Sequence, residues 1–320
     1  MQSDKRSESM ETITKVKTSN YEEWLKLRSQ YIGGSDAAAV VGLNAHASQF
    51  SLWAEKTGRV PGFSGNLATE VGTFLEEFVA QKFAQETGKK VRKCNHSFFN
   101  SKYPWAIANI DREIVGEDAG LEIKTTDSLN MKKFKNGEYP SHYYVQCVHY
   151  LAVTGKKRWY LAVLIGNKDF RIFTIERDDA EIEALMGAER DFWECVKNNT
   201  PPLIDGTEAS SEAVKAIYAD CNDFTADISA FDEYLAQREY LKSEIKDMEQ
   251  LVIEIENRLK IFLGEMGGGD SEQYRVSWKP QTKTTFDHKR FAKDNPDLDL
   301  SQYYKSTTSR VFRVTGINKN

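Results

Sequence analysis

Between residues 67 and 197 the spacing of apolar residues switches repeatedly between two periods, and this limits the fold more than any other feature of the 320-residue chain. Over 67–87, Val71, Phe74, Leu75, Phe78, Val79 and Phe83 recur at i, i+3, i+4 and i+7. That spacing predicts an amphipathic helix with the stripe on a core, Gly88 as its C-cap, and Glu76 and Glu77 off the stripe. From about 97 to 126 the period falls to two, and "YPWAIANIDREIVGEDAGLEIKTT" predicts two strands joined by a turn at 117–120. A helix is predicted near 140–154, with Pro140 in its first turn and Gly155 after its end. "RWYLAVLIGNKDFRIFTIE" predicts a hairpin turning at Gly166-Asn167, and 179–197 a last amphipathic helix before Pro201-Pro202. Helix, strands, helix, strands, helix is the order of a mixed α/β domain, here about 20–205.

The flanks read differently. Residues 1–19 are polar, lack an apolar export core, and are expected to form a disordered leader. In "YEEWLKLRSQYIGGSDAAAVVGLN", Gly33-Gly34 breaks a helical stretch, and Ser35-Asp36 is expected to cap the helix that follows. In the extension at 206–320, Leu241, Ile245, Met248, Val252, Ile255, Leu259 and Phe262 are spaced 4-3-4-3-4-3 within a helix predicted at about 236–265. This is the a/d pattern of a coiled coil, and it calls for a neighbouring helix, a second subunit or a partner. The tail beyond it carries two alternating runs, "YRVSW" and "SRVFRV", read as strands.

Composition removes several function classes. A net charge of −5 argues against a protein that coats nucleic acid, because such binding is dominated by phosphate neutralisation. The basic runs "KKVRK", "MKKFK" and "KKR" fit solvated lysine faces. The four cysteines are dispersed, with no CxxC pair, which argues against zinc or iron–sulfur ligation and suits a reducing, cytoplasmic setting. No apolar run is long enough to span a membrane.

The chemistry concentrates in "AGLEIKTT". Period-two alternation sends Leu121 and Ile123 to one face and Glu122 and Lys124 to the other. Asp111 lies eleven residues before Glu122, so in a hairpin the two carboxylates approach each other. Two carboxylates with water can hold Mg²⁺, and a lysine on the same face can orient or deprotonate an attacking water. Alone, D-x10-E-x-K is more often the solvated face of a sheet edge.

Its setting changes that reading. "RSQYIGGSDAAAVVG", "EVGTFLEEFVA", "ANID", "LEIK" and "YVQCVHYLAVTG" occur in that order over about 21–200, and the chain resembles the YqaJ-type viral recombinases. These are similar to phage lambda exonuclease and belong to the PD-(D/E)xK nuclease superfamily. The resemblance implies a restriction-endonuclease-like α/β core, a mixed central sheet flanked by helices, with the coiled-coil-like helix and a small β extension after it. It implies that Asp111, Glu122 and Glu76 bind Mg²⁺ or Mn²⁺, that Lys124 serves catalysis, and that Arg28, Ser35 and Gln146 hold a 5′ phosphate, with Tyr150 one turn on. The implied activity is a 5′-to-3′ exonuclease on linear double-stranded DNA that leaves 3′ single-stranded tails. The implied partners are DNA ends, a single-strand annealing protein of the RecT or beta type, and further copies of the chain in a ring-shaped trimer. The rival readings are a DNA-end-binding scaffold that does not cut and an endonuclease of restriction or junction type. Two departures stand out: Arg112 follows Asp111 where the family commonly has glycine, and no arginine lies just beyond the E-x-K strand, only Lys132, Lys133 and Lys135. His149, Trp53, Trp105 and Tyr103 are expected to pack in the core.

Overall fold

The computed structural model describes residues 12–62 and 64–317. Its elements in chain order are β1 (Ile13–Val16), α1 (Tyr21–Ser29), β2 (Ile32–Gly33), α2 (Gly34–Val40), α3 (Gln49–Lys56), α4 (Leu67–Thr87) and β3 (Val91–Lys93). Then come β4 (Ser97–Asn100), β5 (Ala106–Asn109), β6 (Arg112–Ile114), β7 (Ala119–Thr126), a 3-10 segment (Ser128–Gly137), α5 (Ser141–Thr154), β8 (Arg158–Ile165), β9 (Asp169–Glu176), α6 (Asp179–Lys197) and α7 (Glu208–Ile217). The extension holds α8 (Asp232–Leu263), β10 (Gly268–Asp270), β11 (Arg275–Ser277) and α9 (His288–Asp294).

The result is a mixed α/β fold. Five strands in the order β3-β6-β7-β8-β9 form the main sheet, antiparallel except for the central β7–β8 pair. That parallel pair requires a crossover, and α5 supplies it. A second sheet runs β1-β4-β5-β2. Helices cover both faces of the main sheet. On one face, Val79, Ala80 and Phe83 of α4 pack with Ile114, Leu121, Ile123, Tyr160 and Ala162. On the other, Val145, Val148 and Leu151 of α5 pack with Trp159, Leu161 and Val163. Because Glu122 is in register with Leu161 and Lys124 with Val163, those two polar residues lie under α5. The face that period-two reasoning treats as wet is therefore roofed. Gly120 permits the close packing, since a Cβ there would run into the Trp159 ring.

Several boundaries differ from expectation. Residues 13–16, assigned to the leader, form β1 and pair with β4; residues 1–11 lie outside the described residues. The first strand of the predicted hairpin is two strands, β5 and β6, in different sheets, and Asp111 sits in the break. The α4 stripe is also narrower than predicted. Val71, Phe74 and Phe78 are exposed, because the sheet covers only the side carrying Val79, Ala80 and Phe83. The first compact unit extends past residue 205 to Ala219, since Ala213 of α7 packs against α3 and Ser210 Oγ bonds Ser48 Oγ at 2.7 Å. The second unit starts at Asp220 and is built around α8. "YRVSW" contains β11, but "SRVFRV" forms no strand. Among the described residues, no helix is long and apolar enough to cross a membrane.

Candidate active site

Glu122 is 3% exposed and fully engaged on one oxygen. Its Oε1 accepts from Gln146 Nε2 at 2.7 Å and pairs with Lys124 Nζ at 2.7 Å. Its Oε2 is buried and has no hydrogen-bond partner among the described residues. A buried carboxylate oxygen left in that state is costly, and a cation relieves the cost. The register Arg112↔Leu121 continues one step to place Asp111 across from Glu122, and Asp111 Oδ2 accepts the Ile123 N–H at 2.7 Å. Burial, then the Glu122 charge, pushes the Asp111 carboxyl well above its usual range. Burial also acts to lower the Lys124 pKa, but the charge of Glu122 and its hydrogen bond outweigh this, and Asp111 adds to the rise. Lys124 is thus held as an ammonium, 5.4 Å from the Tyr143 ring centroid.

Glu76 lies close enough for its charge to add to the rise at Asp111, but its hydrogen bond goes elsewhere. It ion-pairs with Arg112, whose other nitrogen bonds Glu77 at 3.0 Å and which is itself 2% exposed. Arg112 is in register with Leu121, so it points to the α4 face, where Glu76 meets it, whereas Asp111 and Glu122 serve the α5 face. The side chain that departs from the family's glycine is therefore a buried clamp between β6 and α4. Among the described residues no group of three or more His, Cys, Asp or Glu side chains converges to hold a metal. Two carboxylates nonetheless suit Mg²⁺ or Mn²⁺, which keep several waters and use substrate phosphate as a further ligand. Gly72 does face β7, its Cβ position 3.3 Å from Thr125 Oγ1.

The N-terminal segment reaches the same place from the other side. Arg28 Nη2 donates to Ser35 Oγ at 2.6 Å, so these two residues meet as expected. Ser35 does not cap α2, whose N-cap is Gly33; Asp36, the third residue of the helix, accepts the Gly33 N–H at 3.1 Å and pairs with Lys56 at 2.8 Å. Gly34 presses against α5: a Cβ there would lie 2.5 Å from Tyr150 Cε1 and 3.1 Å from Gln146 Cγ. Gln146 Nε2 also donates to Tyr150 Oη at 2.8 Å, so a continuous line runs from Gly34 through Gln146 to Glu122. Gln146, expected on a phosphate, is thus spent on orienting Glu122 and Tyr150. Burial, then the charges of Glu122 and Asp111, keep the Tyr150 phenol protonated. Lys132, Lys133 and Lys135 are exposed on the 3-10 segment, which Phe134 anchors in the core.

The residues read as core are core. His149 is fully buried between Glu189, 2.7 Å from its Nδ1, and the Ile107 carbonyl, 3.0 Å from its Nε2. Trp53 and Tyr103 are buried and Trp105 partly so. Sequence reasoning missed the clamp of Arg112 and the buried Asp36–Lys56 pair. The only signal was the arginine standing where the family turn carries glycine.

Comparison with known proteins adds the following. The model of the YqaJ-like viral recombinase domain matches residues 23–157. Protein YqaJ of Bacillus subtilis strain 168 is 36% identical over 319 residues, covering 98% of this chain and 99% of that one. Among solved structures, an alkaline exonuclease from Laribacter hongkongensis is 21% identical over 56% of this chain and 94% of its own, with a TM-score of 0.49. A phage-related exonuclease from Haemophilus somnus 129PT is 12% identical over 55% of this chain and 99% of its own, with a TM-score of 0.41.

Proposed function

Because the chain belongs to the YqaJ-like viral recombinase family, we propose that it is a divalent-metal-dependent deoxyribonuclease that enters linear duplex DNA at its ends. It degrades one strand from the 5′ end and leaves a 3′ single-stranded tail, the substrate of a single-strand annealing protein. One observation carries the reading: the buried, unpartnered Oε2 of Glu122 beside an Asp111 carboxyl under strain from the same charge. Solvated sheet faces do not contain such an arrangement. Asp111 and Glu122 would hold Mg²⁺ or Mn²⁺, which when bound polarises a phosphoryl oxygen and makes a coordinated water acidic.

The remaining steps belong to this chain's own side chains. Lys124, fixed by Glu122, orients the attacking water and offsets charge developing on the phosphate. Gln146 locks the Glu122 carboxylate in one rotamer, so the reacting geometry is prepared before substrate arrives. Arg28 and Ser35, linked to each other and backed by the Gly34–α5 contact, would receive a terminal 5′ phosphate through charge-assisted hydrogen bonds. Glu76 acts by holding Arg112.

Linear and closed circular duplex DNA, each incubated with Mg²⁺ or with EDTA, tests the reading. The expected outcome is digestion of the linear form alone, only with Mg²⁺, and its loss by at least about 100-fold in Asp111→Asn and Lys124→Ala. Cleavage of the circle would indicate an endonuclease, and binding to ends without digestion a scaffold.

A further inference from the structure

The helix α8 spans 32 residues, about 48 Å at 1.5 Å per residue, and its apolar seam is bare. Leu241, Ile245, Met248, Val252, Ile255 and Phe262 are each at least half exposed, and Leu259 is 38% exposed. A seam of this length left in water is unstable unless something covers it. The residues beside the seam identify what does.

With Ile245, Val252 and Leu259 at a and Leu241, Met248, Ile255 and Phe262 at d, the flanking e positions are Lys242, Glu249 and Glu256. The flanking g positions are Glu244, Leu251 and Arg258. Two parallel copies would place Glu244 of each chain against Glu249 of the other, two like-charge contacts with no compensating pair. Two antiparallel copies behave differently when Ile245 of one chain sits opposite Ile255 of the other and Met248 opposite Val252. In that register Leu241 meets Leu259, so the layers from 241 to 259 are apolar throughout, and Phe262 falls opposite Arg238 at either end. The flanks then bring Glu244 to Arg258 and Lys242 to Glu256, each twice by symmetry. Leu251 meets its own copy at the two-fold axis, and a single Glu249–Glu249 contact is the only clash. Shifting the helices by one heptad in one direction loses the Glu244–Arg258 pairs, and in the other it sets Glu249 against Glu256. Among the described residues, Arg258 and Glu256 pair within their own helix, with Glu254 and Lys260. Such pairs are worth little and do not hold the side chains away from an interface.

We propose that α8 is a self-association element that pairs antiparallel with α8 of a second copy of this chain, in the register set by Ile245–Ile255 and Glu244–Arg258. Two-fold pairing joins two chains, or two identical assemblies, so particles with an even number of chains result. The inference rests on α8 alone and is independent of the proposed nuclease activity.

The test is the mass of the full-length protein in solution, by sedimentation or light scattering across a dilution series, for the parent, Glu244→Arg, Arg258→Glu and the double variant. Both positions lie on the helix surface, Arg258 exposed and Glu244 partly so. The expected result is an even-numbered assembly whose dissociation constant rises on the order of tenfold in each single variant and returns close to the parental value in the double variant. Restoration is specific to the antiparallel arrangement, because a parallel pair sets residue 244 against 249 and gains nothing from a change at 258. A monomer at micromolar concentrations, an odd-numbered assembly, or charge variants that fail to restore one another would overturn the proposal. So would occupancy of the seam by a different protein that persists in all three variants.

Discussion

Single residues in this chain have roles set by which face of the sheet they occupy. Glu76 and Glu122 are both acids near Asp111, yet Arg112 neutralises one and the other keeps an oxygen buried and bare. If only Asp111 and Glu122 hold the ion, Glu76→Gln retains a Mg²⁺-dependent rise in melting temperature and Asp111→Asn loses it. In EDTA, Asp111→Asn melts higher than the parent, by roughly 2–6 °C, because it removes a charge that burial and Glu122 both oppose. Thermal melts with and without Mg²⁺ read both effects, and an equal loss of the Mg²⁺ shift in Glu76→Gln would restore Glu76 to the ligand set. The Asp36–Lys56 pair behaves in the opposite sense. Burial acts to raise the Asp36 carboxyl, but the charges of Lys56 and then Arg28 outweigh it and hold the group below its usual range. A depressed carboxylate contributes stability above its unfolded value, near pH 4, and loses it as pH falls toward the folded value. Asp36→Asn also removes the charge partner of a Lys56 side chain that is 3% exposed and leaves it the Tyr31 carbonyl at 2.8 Å, at a cost on the order of 3–5 kcal/mol at neutral pH. Urea unfolding from pH 7 to pH 3 should show the gap between parent and variant constant above about pH 5 and shrinking below about pH 4.

At the level of elements, what the sequence makes legible is whatever depends on near neighbours. The helices α4, α5 and α6 and the β8–β9 hairpin follow from periodicity, caps and the glycine at residue 166, and they lie where expected. The pairing of Asp111 with Glu122 follows from an eleven-residue hairpin spacing. The burial of Glu122 does not, because it depends on Gln146, 24 residues downstream, and on a crossover whose placement no local pattern encodes. Arg112 is illegible for the same reason, its partner Glu76 lying 36 residues upstream. The "SRVFRV" run alternates like a strand but finds no edge to pair with. Gly34 shows how one element reaches another: α2 approaches α5 only because no side chain intervenes. Gly34→Ala should push Tyr150 and Gln146 outward, release Glu122, and lower turnover about tenfold or more while melting falls by only a few degrees. Nuclease rates beside thermal melts make that comparison, and unchanged turnover would show that the α2–α5 contact does not shape the site.

The whole molecule joins a sheet that carries a charged, roofed pair of carboxylates to an extension whose main helix has a bare seam. The first unit holds every residue assigned to chemistry and to the 5′ phosphate, between Arg28 and Gln146. The sheet carries the carboxylates, Gln146 of α5 fixes Glu122, and the Arg28–Ser35 segment meets α5 at Gly34, so the proposed end recognition and cleavage would share one connected set of contacts. That coupling is the central claim, and strand-specific digestion tests it most directly. Linear duplex labelled separately on each strand, with either a 5′-phosphate or a 5′-hydroxyl end, is digested by the parent and by Arg28→Ala in the presence of Mg²⁺. The account predicts loss of the strand from its 5′ end only, a preference for the phosphorylated end of about tenfold or more, and disappearance of that preference in Arg28→Ala with cutting retained at a lower rate. Digestion from the 3′ end, or equal rates on the two ends in the parent, would contradict it.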